Sequence, residues 1–199
     1  MHRRTLSLMA LLFLVSLPLS ASQFIEMPFD QVAREAQYVV RAQVVDTYAA
    51  WDDSHEVIYT YATLRVSRYF GESAGPDTLV VREVGGTVDG YTQEAIGFPA
   101  IRAGEDVVLF LAPWTDGGAE MRIHAFNQGK FLVKERLGRE LVVADEVRQG
   151  DARLGREGRL SDVRADGTDD LSGALTIDEL AAMITDARAG KRLTTLQRD

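Results

Sequence analysis

Hydrophobic and polar residues alternate over much of this chain between residues 38 and 143. Successive side chains of a β-strand point to opposite faces, so a period of two predicts strands that are buried on one side. The segments with this period are residues 38–47, 57–70, 78–84 and 121–125, followed by 131–134 and 141–143 as a hairpin about Gly138.

Two segments of the same region break the alternation. Residues 107–111 (VVLFL) are apolar at every position, which is typical of a central strand covered on both faces. Residues 87–105 contain three glycines and a proline without a sustained period, and we predict a long loop there. Gly85 and Gly86 are predicted to turn the chain, since no helix follows them as a phosphate loop requires.

A helical period flanks the strands on both sides. Residues 27–36 repeat apolar side chains at helical spacing: Phe29, Val32, Ala33 and Ala36. Pro28 suits the first position of that helix. Near the other end, Thr176 and Glu179 form a capping-box signature, in which each side chain bonds the backbone N–H of the other residue. We therefore predict a C-terminal helix at residues 175–190.

Five to seven strands without strand–helix alternation indicate a mainly β fold. We predict a small antiparallel OB-like barrel at residues 23–146, with a short N-terminal helix and a C-terminal helix. An immunoglobulin-like sandwich is the commonest rival, but its Cys/Trp framework has no counterpart here. Residues 147–174 have five glycines and mixed charges, which predicts a flexible polar linker, and residues 191–199 are predicted to be a frayed tail.

The first 22 residues have the organisation of a secretory signal peptide. Arg3 and Arg4 precede an apolar run from Leu6 to Leu17, and small residues up to Ser22 suit a cleavage site. The apolar run is shorter than the about 20 residues that a membrane-spanning helix needs. We therefore predict export, to the periplasm or out of the cell, with no membrane insertion after cleavage.

Composition narrows the classes of function. Without the signal peptide the chain has 20 basic and 30 acidic residues, a net charge of −10. Such a surface repels phosphate backbones, so we expect no nucleic-acid partner. The absence of cysteine excludes disulfides and thiolate metal sites, and we predict no cofactor.

Several stretches together resemble a group of exported bacterial proteins of unassigned function: EAQYVV, IYTYATLRVSRYFGE, VREVGGTVDG, GFPAIRAGEDVVLFL and NQGKF. The resemblance covers roughly residues 27–135. The order of elements is similar to the OB barrel of tissue inhibitors of metalloproteinases and of netrin modules, which implies this fold and, by analogy, inhibition of a secreted protease. Those inhibitors bind the protease zinc through an N-terminal cysteine, whereas the predicted mature N-terminus here is Gln23-Phe24-Ile25. The resemblance therefore transfers no inhibitory residue.

The stretch WDDSHE, residues 51–56, holds the main candidates for chemistry. Asp52, Asp53 and His55 are suitable ligands for a divalent metal, and a metal-dependent hydrolase would be centred on them. Adjacent strand residues point to opposite faces, however, so the two carboxylates converge only in a special turn. The alternative is a solvated turn between the first two strands, with Trp51 closing one end of the barrel. In OB barrels this loop borders the ligand groove.

Three other features are candidates for binding or catalysis. Tyr59 and Tyr61 fall on the side of their strand opposite the predicted core, where they would anchor a partner or be covered by the 87–105 loop or the terminal helix. His124 alternates with its neighbours and is predicted to face outward, and no Gly-x-Ser-x-Gly elbow accompanies it. Residues 168–179 fit a calcium loop in part, but the capping box explains Glu179 equally well.

The sequence therefore favours a non-enzymatic exported module that binds a protein or a glycan. The predicted binding residues are Trp51, Asp52, Asp53, His55, Tyr59 and Tyr61. Inhibition of a secreted protease and metal-dependent hydrolysis at residues 51–56 are the alternatives.

Overall fold

The computed structural model describes residues 27–71, 74–144 and 174–191. The predicted signal peptide lies outside the described residues, as do nearly all of the predicted linker and tail. The helices are α1 (Phe29–Glu35) and α2 (Ile177–Arg188), with a short 3-10 turn at Phe126–Gly129. The strands, in chain order, are β1 (Tyr38–Trp51), β2 (Ile58–Tyr69), β3 (Thr78–Val84), β4 (Gly86–Val88), β5 (Tyr91–Gln93), β6 (Asp106–Pro113), β7 (Met121–Ile123), β8 (Lys130–Arg136), β9 (Arg139–Ala144) and β10 (Leu175–Thr176).

Five of these strands close into a barrel. Their order is β1-β2-β3-β7-β6, and β6 pairs back with β1. The neighbours are antiparallel except β3 and β7, which are parallel. Beyond β6 the sheet continues through β8, β9 and β10. The predicted mainly β, OB-like barrel with two helices is confirmed.

Strand β6 separates the two main hydrophobic cores. Val107, Leu109 and Leu111 belong to the cluster inside the barrel, whereas Val108 and Phe110 pack with the two helices outside it. All five side chains are fully buried. The continuous apolar run therefore does form a central strand covered on both sides, as its sequence predicts.

Helices α1 and α2 pack on the outer side of β6, β8 and β9. The predicted apolar face of α1 is confirmed, because Val32, Ala33 and Ala36 are buried in the same cluster as Leu180 and Ile184 of α2. Pro28 lies at the N-cap, one position before the predicted one.

The ends of both helices have hydrogen-bonding partners. The capping box of α2 is confirmed, since the Glu179 N–H donates to Thr176 Oγ1 at 3.3 Å and the Thr176 N–H donates to Glu179 Oε2 at 2.8 Å. Arg188, in the last turn of α2, donates to the carbonyl oxygens of Ala33 and Ala36 at 3.0 and 2.9 Å. It therefore satisfies carbonyl groups that the end of α1 would leave without partners.

Two predicted boundaries are wrong for a physical reason. β1 continues to Trp51 rather than ending at residue 47, because its outer half pairs with β2 along the whole hairpin. A bulge between Val44 and Asp46 interrupts its alternation and leaves Val45 exposed, which hides the strand from a period-of-two pattern. The predicted loop at 87–105 contains the β4–β5 hairpin, whose strands are too short to show any period.

A buried ion pair ties the start of β8 to the segment before β6. The Lys130 ammonium is fully buried, 2.8 Å from Glu105 Oε2, and it also donates to the Ala100 carbonyl. Glu105 in turn accepts the backbone N–H of Arg102 at 3.1 Å. The stretches GFPAIRAGE and NQGKF therefore meet in space.

Replacing one member of this pair tests its contribution. Glu105→Gln removes the countercharge of a buried ammonium, and we expect it to lower the free energy of unfolding by about 2 kcal/mol, the scale of a hydrogen bond to a charged group. Chemical denaturation near neutral pH measures the change. Exposed Glu94 is the matched control, and Glu94→Gln is expected to have no measurable effect. Equal stability of the two variants would show that the pair contributes nothing.

Candidate functional site

The turn that joins β1 to β2 is organised by Asp52. One carboxylate oxygen accepts the backbone N–H groups of Glu56 and Val57 at 2.8 and 2.9 Å, and the other accepts the Ser54 hydroxyl. These bonds, that of Ser54 first, lower the pKa of Asp52 to about 2. Asp52 is therefore occupied with holding the turn, in which His55 has a positive φ of 58°.

The other polar side chains of this turn point into solvent. Asp53, His55 and Glu56 are all exposed. Among the residues with described positions, no three His, Asp or Glu side chains lie close enough together to hold a metal ion. The ligand set that the metal-dependent alternative needs is not assembled at residues 51–56.

Aromatic rings cluster at the tip of the β1–β2 hairpin. Trp51 is half-buried between the His55 ring, which is nearly parallel to it at 6.2 Å, and the Tyr91 ring, which meets it edge-on at 6.2 Å. Tyr91 belongs to the β4–β5 hairpin and is 68% exposed. The β4–β5 hairpin can lie close to β1 and β2 because Gly86 has no side chain. A β-carbon at this position would lie 2.7 Å from Thr60 Oγ1.

A second aromatic group lies on the outer side of β1, β2 and β3. We call it the aromatic face: Tyr48, Tyr59, Tyr61, Arg82 and Trp114. Tyr48 is opposite Tyr61 in the β1–β2 register, and Tyr61 is opposite Arg82 in the β2–β3 register. Residues directly opposite each other share a side of the sheet, so the strand pairing itself brings these side chains together.

The rings of the aromatic face contact each other closely. Tyr48 stacks on Tyr61, with centroids 4.9 Å apart and planes 7° from parallel. The Arg82 guanidinium lies 5.0 Å from the Tyr59 ring centroid and 4.6 Å from that of Trp114. Asp116 forms an ion pair with Arg82, and the Trp114 indole N–H donates to the Arg82 carbonyl at 2.9 Å.

The predicted cover of this face is wrong. The segment after β6, with Trp114 and Asp116, packs over Tyr59, in place of the 87–105 loop or the terminal helix. Tyr48 remains 56% exposed, so the Tyr48–Tyr61 stack is open to solvent. No period in the sequence shows that residues 114–116 return to β3, because this contact depends on the closure of the barrel.

One buried carboxyl group is absent from the sites predicted from sequence. Glu83 is only 3% exposed, and one of its oxygens accepts the backbone N–H of Ile123. Burial raises the pKa of Glu83 to about 8. Its place on the inward side of β3, in line with Leu79 and Val81, was a signal that the sequence did contain.

Glu83 lies next to the shortest pairing in the barrel. β3 and β7 share a single residue pair, Val81 and Met121, and beyond it the Glu83 carboxyl takes the place of a strand carbonyl for Ile123. Beside it is a cavity of about 210 Å³. The lining side chains are Glu83, Phe98, Trp114, Thr115, Arg122, Ile123 and Phe126.

The prediction that His124 faces outward is wrong. Its side chain is buried, with Nε2 at 3.4 Å from a carboxylate oxygen of Glu35. Burial and the charge of Arg122 lower its pKa, against the opposite effect of Glu35. β7 ends at Ile123, and the chain turns through a left-handed Ala125, so the alternation that predicted exposure does not extend to His124.

Two comparisons with known proteins found no match. No family model matches the chain, and no curated protein matches it either. Within the described ranges, neither helix has the length and apolar composition needed to cross a membrane. A barrel of this kind hosts many functions, so its geometry alone does not select one.

Proposed function

We propose that this protein is an exported, non-enzymatic binding module and that the aromatic face is its contact surface. The observation that carries the proposal is the gathering of three Tyr, one Trp and one Arg on one outer side of the barrel, with the Tyr48–Tyr61 stack open to solvent. Tyr, Trp and Arg are the residues that contribute most to binding energy in protein interfaces. OB barrels also use the side of their second and third strands for ligands.

The arrangement favours a protein partner over a glycan. The rings and the guanidinium already contact each other, so little side-chain freedom remains to be lost on association. A sugar needs an open ring face beside free polar groups, whereas Arg82 is engaged by Asp116. The excess of acidic residues in the predicted mature chain favours a partner with a basic contact surface.

The aromatic cluster at the tip of the β1–β2 hairpin is not part of this surface. Trp51 pairs with buried Ile58, whereas Tyr59 pairs with Ala50, so Trp51 and the His55 and Tyr91 rings against it lie on the other side of the hairpin. Asp52 fixes the turn of this tip. Export is proposed from the predicted signal peptide at residues 1–22.

Partner capture with matched variants tests the proposal. The mature protein is immobilised and exposed to periplasmic and culture-medium fractions of the source cells, and in parallel to a glycan array. Tyr48→Ala combined with Tyr61→Ala removes the open stack, and we expect at least about tenfold weaker capture of a protein partner, the scale of one hot-spot residue. Leu137→Ala, at a 95% exposed side chain in the β8–β9 turn, is the control and should capture normally.

Each outcome has a defined meaning. Loss of capture in the Tyr variant, with an unchanged circular dichroism spectrum, supports the aromatic face. Capture that is equal in both variants contradicts it. Binding to the glycan array alone would replace the protein partner by a glycan.

A further inference from the structure

The cavity beside Glu83 contains groups whose hydrogen-bonding capacity is not used within the protein. Glu83 Oε1 accepts the Ile123 N–H, and no described residue offers a partner to its second oxygen. Because the carboxyl group is buried with a single hydrogen bond, its neutral form is favoured. A neutral carboxyl group with one oxygen already accepting presents its O–H as a donor.

Arg122 lines the same cavity and also lacks an acceptor. Its side chain is half-buried, and it has no salt bridge or hydrogen bond to any residue that the structure describes. Its positive charge lowers the pKa of Glu83 through electrostatic attraction, without a hydrogen bond between the two side chains. A guanidinium has five N–H donors and no acceptor, so Arg122 is available to bind an anion or several acceptor oxygens.

The rest of the cavity is largely apolar. Phe98 and Phe126 meet edge to face at 4.9 Å, and Trp114 forms a further wall. Thr115 supplies one hydroxyl at the rim. The volume of about 210 Å³ exceeds the about 150 Å³ of an engineered cavity in another protein that holds benzene. A ligand of one ring and a short polar group therefore has room.

We propose that this cavity is a binding site for a small organic acid, with the ligand carboxylate held by Arg122 and the Glu83 O–H and its apolar part packed against Phe98, Phe126 and Trp114. The carboxylate supplies the acceptor atoms that both donors lack, and a planar carboxylate matches the two parallel N–H groups of a guanidinium. An ammonium ligand would meet the positive charge of Arg122 instead. The inference does not depend on a partner at the aromatic face.

The proposal has a consequence for pH. Glu83 and Arg122 are the charged side chains among the residues that line the cavity. A carboxylate ligand is ionised above about pH 5, whereas Glu83 must stay protonated to donate to it. Affinity is therefore expected to fall as pH rises through the pKa of Glu83, and to be about tenfold weaker at pH 9 than at pH 7. A cationic ligand would show the opposite trend.

Titration with three matched probes tests the chemistry. Phenylacetate, phenylacetamide and phenethylamine share a ring and differ in the charge of the polar end. We expect phenylacetate to bind at least about tenfold tighter than either other probe in isothermal titration or ligand-observed NMR, the scale of a charge-assisted pair. A preference for the amine, or no detectable binding of phenylacetate at millimolar concentration, would overturn the proposal.

Variants assign the two donors. Arg122→Gln should weaken phenylacetate binding about tenfold, while Arg65→Gln, at an exposed arginine outside the cavity, should leave it unchanged. Glu83→Gln keeps both an acceptor for Ile123 and an N–H donor for the ligand. It should therefore retain binding at pH 7 and lose the decline toward pH 9. Binding to wild-type protein that is insensitive to Arg122→Gln, or a decline with pH that Glu83→Gln preserves, contradicts the assignment.

A second pair of probes distinguishes a free acid from the end of a polypeptide. A tripeptide that ends in phenylalanine is compared with its C-terminal amide. Tight binding of phenylacetate without a gain for the tripeptide identifies a free small acid. Preferential binding of the tripeptide over its amide and over phenylacetate identifies a polypeptide C-terminus as the source of the carboxylate. These results are separate from capture at the aromatic face, which Arg122→Gln is expected to leave intact.

Discussion

Gly129→Ala is expected to prevent the barrel from closing normally. A β-carbon at this position would overlap the His124 carbonyl oxygen and would lie 2.9 Å from a methyl carbon of Ile123. The first contact is with backbone, which cannot rotate away as a side chain can. It is held in place because the His124 N–H donates to the Phe110 carbonyl at 2.7 Å in the central strand β6.

The expected cost is large because the turn cannot move without its neighbours. Overpacking a well-packed core costs about 1–3 kcal/mol even when side chains can adjust, so we expect a loss above about 3 kcal/mol or failure to fold. Thermal and chemical denaturation of the purified variant measures it. The His124 carbonyl is also held in place by the chain reversal that follows it, in which Ala125 and Phe126 have left-handed backbone conformations.

Gly138 provides the matched control. It has a positive φ of 73°, but a β-carbon there would meet no atom within 4 Å. Gly138→Ala therefore carries only the conformational cost of a left-handed residue, about 1 kcal/mol. A Gly129→Ala variant as stable as Gly138→Ala would show that the 124–129 turn is much more adaptable than its contacts indicate.

The repeating features of the fold were predictable from sequence because they depend on local periods. The alternation at 57–70, the continuous apolar run at 107–111 and the capping box at Thr176 each state which faces are buried, and the structure confirms them. The bulge after Val44 could not be predicted in the same way. It adds one residue to β1 without any change in composition.

The candidate sites were only partly predictable. The sequence places Tyr59 and Tyr61 on the outer side of β2, but their contacts with Arg82 and Trp114 arise from strand register and barrel closure. The composition of residues 51–56 suggested metal ligands, whereas the Asp52 carboxylate accepts backbone hydrogen bonds that hold the turn. The Glu83 cavity is lined by residues from β3, from the segment after β6 and from the β7 region, and no local pattern in the sequence predicts that they meet.

Glu83→Gln is expected to make the protein more stable at alkaline pH and less sensitive to pH. The pKa of Glu83 is raised from an ordinary value of 4.5 to about 8, because burial disfavours the charged form. Between these values the folded protein binds one more proton than the unfolded chain. The free energy of unfolding therefore falls as pH rises, by up to about 1.4 kcal/mol for each pH unit.

The difference between variant and wild type isolates this effect. Glutamine keeps an acceptor for the Ile123 N–H but has no proton to lose, so its advantage should grow from about 1 kcal/mol at pH 5 to about 4 kcal/mol at pH 8 and then level off. The lowered pKa of His124 makes stability rise with pH up to the ordinary range of a histidine. This contribution is the same in both proteins and cancels in the difference. Glu94→Gln, at an exposed side chain, is the control for loss of one negative charge.

A difference that stays constant from pH 5 to pH 8 would mean that Glu83 is already ionised in the folded protein. The loss of its O–H donor would then remove the basis for carboxylate binding in the cavity as well, so this stability measurement can be made before any ligand is tested.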